Sequence, residues 1–359
     1  MNPAIAVAQS IYERHPDSKF LFIGAEGQME EDLVRREGYD FTAVKITNIS
    51  RGTSLADISH NVNTVKNVAV SIRKAREIIK AFKPDAVIGT GGYVCFPVIS
   101  AAHELKIPTF IHESNAVPGL TTKMLASFVD HIFLGFEESK KYYNNSNKVF
   151  VTGTPVRLSF SEEDKASAGK RLGLEKNIPL VLSMWGSLGS EYMNRTVREF
   201  IPVMETGSMY LIHSTGKKYY RDFEELIQSG CTAITSGEAK VSEYLYNIPD
   251  LMTAADLVIC RAGASTISEL TYLGKPALIV PSPNVTNNHQ EKNARLLEAA
   301  GAAKVMLEGE FTSETFLGEI RSILNSPELL RSMSENMKKL GKRDSAGIIS
   351  DYILEHISC

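Results

Sequence analysis

"CRAGASTISELTYLGKPALIVP" occupies residues 260–281. Apolar Leu257, Val258, Ile259 and Cys260 run into it and read as a buried strand. Arg261, Ala262, Gly263 and Ala264 make a small-residue turn. Ser265, Thr266, Ser268 and Glu269 then open a helix, and residues 276–280 supply a second strand. Strand, helix and strand in this order form a βαβ unit. Apolar strands of this kind build parallel sheets covered on both faces. Packing needs neither an arginine at the strand end nor hydroxyls and a carboxylate on the first helical turns. A ligand carrying both phosphates and sugar hydroxyls would use all of them.

The same alternation extends in both directions. Short apolar runs at residues 20–24, 86–89, 108–112, 131–134 and 149–152 form one set of expected strands. Residues 180–184, 209–213, 232–235, 257–260, 277–280 and 303–306 form another. Helical patterns lie between most of them. Two sets of this size exceed one doubly wound sheet, so the expected fold class is α/β with two Rossmann-like, doubly wound parallel-sheet domains. Residues 1–157 form the first domain and residues 158–344 the second, which opens on the charged, strandless stretch 161–176. A last helix lies within 345–359 and is free to pack back on the first domain. The chain opens on a helix: Asn2 is the expected N-cap, Pro3 takes the first helical position, and Ala4, Ile5, Val7, Ala8 and Ile11 make an apolar face. A Rossmann-type domain begins with a strand and a glycine loop ahead of that helix. Neither is present here.

Composition narrows the function. The 359 residues are 43% hydrophobic and 23% charged, as in an ordinary soluble protein, and the formal net charge of -3 argues against a nucleic-acid partner. Cys95, Cys231, Cys260 and Cys359 are far apart and form no metal-type pair. Cys95 and Cys260 sit in apolar stretches, which suits buried thiols in a reducing compartment. With no run of 18 apolar residues and no signal peptide, a cytoplasmic location is expected.

Further candidate positions follow strands. "GTGGY", with Gly91, Gly92 and Tyr93, and "MWGSLGS", with Ser187, are glycine turns that precede helical sequence. Each suits an anion at a helix N-terminus, and each equally suits a tight turn that binds nothing. Neither is a P-loop. His112, Glu113 and Asn115 end one strand, Arg157 closes another, and His213 ends a third. Polar groups at the carboxyl ends of parallel strands sit where such sheets bind ligands. Both histidines also fit a packing role. No Cys/His or Ser/His/Asp arrangement and no Asp-x-Asp metal motif appears, while pairs such as Glu162-Glu163 and Glu224-Glu225 suit a solvated surface.

"GTGGYVCFPV" (89–98), "HESNAVPGLTTK" (112–123), "VTGTPVR" (151–157), "CRAGASTISEL" (260–270) and "NNHQEKNA" (287–294), in this order, resemble the MurG family of peptidoglycan glycosyltransferases over nearly the whole chain. The resemblance implies a GT-B fold whose two domains face a cleft. It implies inverting transfer of N-acetylglucosamine from UDP-N-acetylglucosamine to the muramyl O4 of undecaprenyl-diphospho-muramyl-pentapeptide, with no cofactor and no metal. It assigns Glu269 to the ribose hydroxyls, and Ala264, Ser265 and Thr266 to the diphosphate. Arg261 would add positive charge or orient the turn. Leu245 would hold the uracil through main-chain contacts. Ser187 falls in the second domain's diphosphate loop, where Trp185 replaces the first of the two glycines usual in the family. Gln290 matches a donor-sugar contact. Asn115 and Arg157 match donor contacts from the first domain and the junction. Gly91, Gly92, Tyr93 and Glu113 fall on the acceptor side of the cleft.

The resemblance names no catalytic residue in this chain. The family's histidine belongs to a Gly-Gly-Thr-Gly-Gly-His loop that would precede Met1. A truncated, weakly active chain is therefore expected, with the general base unidentified. A lipid-linked acceptor implies peripheral attachment to the cytoplasmic face of the membrane. The helical pattern at residues 61–82 adds Lys66, Arg73, Lys74, Arg76 and Lys80 among Val68, Val70, Ile72, Ile78 and Ile79. An ordinary amphipathic crossover helix also explains that pattern, and periodicity alone favours it. Two alternatives remain: another GT-B-like enzyme, such as a UDP-sugar epimerase, and a non-catalytic UDP-sugar binding protein.

Overall fold

Parallel strands carry both halves of the chain. In a computed structural model, residues 1–27, 30–46, 55–144, 146–157, 164–175, 177–186, 188–285, 288–342 and 344–357 are described. Two compact units result, Met1–Leu158 with Arg343–Cys359, and Ser159–Lys342. The first unit holds β1 (Leu21–Ala25), β2 (Asp40–Val44), β3 (Val87–Gly89), β4 (Thr109–Glu113), β5 (His131–Leu134) and β6 (Val149–Val151). The second holds β7 (Leu180–Met184), β8 (Tyr210–Ser214), β9 (Ala239–Ser242), β10 (Leu257–Cys260), β11 (Ala277–Ile279) and β12 (Ala303–Val305).

The second unit has one six-stranded sheet in the order β12-β11-β10-β7-β8-β9. Cys260 pairs with Met184, so β10 and β7 end side by side. All four residues of β10 are buried, as their continuous apolar run requires. Phe200, Phe223 and Phe316 fill the core on that sheet. Caps start several helices of this unit. The Ser190 side chain accepts from the Met193 N–H, and Thr312 and Thr315 form a reciprocal capping box.

The first unit differs from one continuous sheet. β1 pairs with β2, and β3-β4-β5-β6 form a separate sheet. Between these sheets lies a cavity bordered by β1 and β3. The helix Ser345–Ile357 belongs to this unit, and its Ile349 and Ile353 pack with Val7, Phe110 and Phe133.

Three expectations need correction. Residues 232–235 form the short helix Thr232–Thr235, and the strand there is β9. Four residues, Thr-Ala-Ile-Thr, are too few to show a periodicity that separates helix from strand. β2 was missing from the expected strands because Phe41 and Val44 are its only buried residues. The first helix is capped by Met1 and not by Asn2: Asn2 is already helical, and the Met1 carbonyl accepts from the Ala4 and Ile5 N–H groups.

Candidate functional site

The order of the second sheet defines where a ligand can reach the backbone. From β7 the chain moves outward through β8 and β9. It then returns to place β10 on the other side of β7 and moves outward again. The carboxyl ends of β7 and β10 therefore flank a topological switch point, where open α/β sheets bind ligands. The turn after β10 enters the helix Ala264–Leu273 through Gly263. Among the described residues no side chain caps this end, so the first-turn N–H groups of Ala264, Ser265 and Thr266 face outward with the positive end of the helix dipole. Glu269 stands one turn further along and is half-buried. Ser268 differs from its expected neighbours, because it is buried and its hydroxyl donates back to the Ala264 carbonyl at 2.7 Å.

Arg261 is bound on all sides. One guanidinium nitrogen donates to the Val280 and Pro281 carbonyls at 3.0 and 3.1 Å. The other donates to Ser190 Oγ at 2.7 Å and pairs with Glu308. The guanidinium also lies over the Trp185 ring. Of the two roles expected for Arg261, orienting the turn is the one these bonds perform. Glu308 and Ser190, which the sequence did not single out, complete it. The signal for Glu308 was present in its position just beyond β12 at a strand's carboxyl end.

Beneath the loop after β7 lies a buried polar chain. Asn194 donates through Nδ2 to the Ser190 and Thr215 carbonyls, so its Oδ1 must accept. His213 Nε2–H donates to that Oδ1 at 2.9 Å. His213 Nδ1 then accepts from the Ser183 hydroxyl at 2.8 Å, and Ser183 Oγ accepts from Trp185 Nε1 at 2.9 Å. This pattern needs a neutral imidazole, and burial pushes the His213 pKa down to about 3. His213 is thus a packing residue. Trp185 turns inward, with 3% of its surface exposed. Gly186 and Gly189 both have φ +72°, and a Cβ on Gly189 would strike the Thr215 carbonyl. Ser187 lies outside the described residues.

Other strand ends of the sheet contribute the remaining positions. Leu245 follows β9 and is buried between exposed Tyr244 and Tyr246, whose rings are 5.0 Å apart. Its anchored side chain fixes the main chain there. Gln290 follows β11 near the start of the helix His289–Ala299, and its Oε1 accepts from the Ser282 N–H at 2.9 Å.

In the first unit the expected residues also follow strands. Gly91 and Gly92, after β3, have φ +84° and +83°, and Tyr93 follows. Glu113, at the end of β4, is 3% exposed. One of its oxygens accepts from the Asn115 N–H and side-chain amide, each at 3.0 Å, and the other from the Gly119 N–H at 2.9 Å. Glu113 therefore shapes the turn that presents Asn115. Arg157 pairs with Glu37 at 3.2 Å and is mostly buried, while its Nε has no partner among the described residues. His112 is fully buried: its Nε2–H donates to the Gly153 carbonyl at 3.0 Å, and its Nδ1 accepts from Ser114 Oγ at 3.1 Å. Burial holds its pKa below the usual range. The basic helix runs over Leu55–Phe82. Its Arg73 and Lys74 pair with Glu77, and Arg76 pairs with Glu104. The side chain of Lys66 lies outside the described residues.

Two Rossmann-like units, the second with a helix N-terminus and a carboxylate at its switch point, make the architecture of the GT-B class. The glycosyltransferase family 28 N-terminal domain matches residues 1–134, and the C-terminal domain of that family matches residues 180–348. The UDP-N-acetylglucosamine--N-acetylmuramyl-(pentapeptide) pyrophosphoryl-undecaprenol N-acetylglucosamine transferase of Acetivibrio thermocellus is 42% identical over 354 residues, covering 98% of this chain and 94% of the relative. The chain belongs to this family of transferases. The crystal structure of Acinetobacter baumannii MurG aligns with a TM-score of 0.72 at 25% identity, covering 99% of this chain and 95% of that one. A putative UDP-N-acetylglucosamine 2-epimerase from Listeria monocytogenes aligns at 0.69 with 17% identity over 99% and 94%, a likeness of fold alone.

Proposed function

We propose that this chain transfers N-acetylglucosamine from UDP-N-acetylglucosamine to the muramyl O4 of undecaprenyl-diphospho-muramyl-pentapeptide, with inversion. The observation that carries it is the switch-point site: uncapped N–H groups at residues 264–266 with Glu269 one turn beyond. The N–H groups receive the diphosphate and Glu269 accepts from the ribose hydroxyls. The main chain at Leu245 holds the uracil. Gln290 and Asn115 contact the donor sugar, and Arg157 adds a donor contact. Ser187 belongs to the second diphosphate loop, and Arg261 holds the two loops in register. Gly91, Gly92 and Tyr93 line the acceptor side, with Glu113 shaping the turn beside them. In the reaction the acceptor O4 attacks the sugar C1 opposite the diphosphate, and the proton of its hydroxyl is released to solvent. The C1–O bond to the β-phosphate breaks, and UDP leaves with its charge held at the helix N-terminus.

The acceptor's lipid places the chain on the cytoplasmic face of a membrane. No helix among the described residues is long and apolar enough to cross one. Exposed Leu120, Met124 and Tyr142 beside Lys123, Lys140 and Lys141 suit contact with anionic lipid.

Labelled UDP-N-acetylglucosamine and the lipid-linked acceptor test the proposal. The expected outcome is one labelled disaccharide-lipid per UDP released. Epimerised sugar without acceptor would establish an epimerase, and saturable UDP-sugar binding without turnover a binding protein.

A further inference from the structure

A cavity of about 440 Å³ lies in the first unit at the amino end of β5, away from the strand ends that carry the site residues. His103, Lys106, Asp130, His131 and His356 line it. His131 is the first residue of β5. His356 comes from the last turn of the helix Ser345–Ile357, and His103 from the last turn of the helix Cys95–Glu104. Two helices thus bring the negative ends of their dipoles to one cavity, beside the Asp130 carboxylate, which favours a cation there. Lys106 opposes them with one positive charge.

Two of the imidazoles are already oriented as ligands. The ring centroids of His131 and His356 are 4.5 Å apart, and Tyr352 holds both rings through Nδ1. His356 Nδ1–H donates to the Tyr352 carbonyl at 2.7 Å, so the lone pair of His356 is on Nε2. His131 Nδ1 lies 3.2 Å from the Tyr352 hydroxyl, and when Nδ1–H donates there His131 Nε2 also carries a lone pair. Neither Nε2 has a hydrogen-bond partner among the described residues. Both histidines line the cavity and Tyr352 does not, so Nε2 is the nitrogen left to face the space. An imidazole anchored through one nitrogen to an oxygen, with the other nitrogen bare, is fixed for metal binding. Asp130 adds an acceptor: one of its oxygens takes the Thr109 N–H and hydroxyl at 2.8 and 2.6 Å, and the other is open to a metal-bound water.

We propose that His131 and His356 form a site for one divalent late transition-metal ion, nickel(II) or copper(II), bound through the two Nε2 atoms. With metal–imidazole bonds of about 2.0–2.1 Å, the ion lies about 3.2 Å from each ring centre, and the 4.5 Å between centroids then sets an N–metal–N angle of about 90°. That angle fits the tetragonal coordination of nickel(II) and copper(II) better than the tetrahedral coordination of zinc(II). Among the described residues no three ligand side chains gather at one point, so water fills the remaining positions. The bound ion ties the final helix to β5, two parts of the first unit that are far apart in sequence. The proposal is independent of the transferase reaction, and its test does not use activity.

The test titrates nickel(II) into the full 359-residue chain by calorimetry at neutral pH. Saturable binding is expected, tighter than that of zinc(II). His131→Gln and His356→Gln are each expected to weaken it at least about tenfold, and Tyr352→Phe, which removes the hydroxyl and keeps the ring, about tenfold. Cys359→Ser, three residues beyond His356, is expected to leave the affinity unchanged. Nickel(II) is also expected to slow hydrogen exchange in the helix Ser345–Ile357 of the unsubstituted chain and not in His356→Gln. His356 is exposed, so its replacement is not expected to unfold the unit. No saturable binding, tighter binding of zinc(II), or unchanged affinity in either histidine variant would overturn the proposal. So would loss of binding in Cys359→Ser, because the terminal thiol would then be the ligand.

Discussion

Glu269 stands one helical turn beyond the N–H groups of residues 264–266, so its carboxylate tests the nucleotide assignment. Replacing Glu269 by Ala is expected to weaken UDP binding by about 1–3 kcal/mol, as for a lost hydrogen bond to a charged group. Calorimetry in metal-free buffer checks this, and unchanged affinity or a strict need for a divalent cation would count against it. Asn115→Ala and Gln290→Ala are expected to impair use of the sugar donor more than binding of UDP; equal losses would make both nucleotide or folding positions. The switch-point helix stood out in the sequence because hydroxyls and a carboxylate had no evident packing role there, but Ser268 does have one, its buried hydroxyl bonding the Ala264 carbonyl. Arg261 was legible as a charge but not as a strut, since Ser190 and Glu308, 71 and 47 residues away, bind it only in the folded sheet.

The loop after β7 combines a glycine that cannot be replaced with a hydrogen-bonded chain that cannot be charged. Gly189→Ala puts a side chain at positive φ against the Thr215 carbonyl. The strain alone costs about 1–3 kcal/mol. A fall in the melting temperature of the second unit is the expected result, and an unchanged melting curve would contradict it. His213 gives this element a pH dependence. Its folded pKa is about 3, whereas an unfolded histidine titrates at about 6.5. Between those values the unfolded chain takes up a proton that the folded chain does not, so stability falls as pH drops through that window. His213→Gln should flatten that part of the profile in urea titrations. Trp185 is the protein's single tryptophan and belongs to the same hydrogen-bonded chain, so its fluorescence reports the transition directly. Its glycines made this loop visible in the sequence. The role of Trp185 was not visible, because its inward turn depends on Ser183 and Arg261.

Across the whole molecule, continuous apolar strands with helical crossovers were enough to identify two parallel-sheet units. What escaped was local: β2, with two buried residues, and the helix Thr232–Thr235, too short to show a period. The separation of β1-β2 from β3-β6 depends on strand order, which no local pattern encodes. Binding to anionic vesicles is expected to fall with salt, and Lys140→Glu with Lys141→Glu should remove about 1 kcal/mol per basic residue lost. Cosedimentation unaffected by either change would move the membrane contact elsewhere. The helix Ser345–Ile357 has a consequence for synthesis. It covers Val7, Phe110 and Phe133 in a unit whose other residues end near 158. A ribosome adding about 5–20 residues per second finishes the intervening 184 residues, 159–342, only after roughly 10–40 s. The first unit, though made earlier, therefore keeps those apolar side chains uncovered throughout the synthesis of the second.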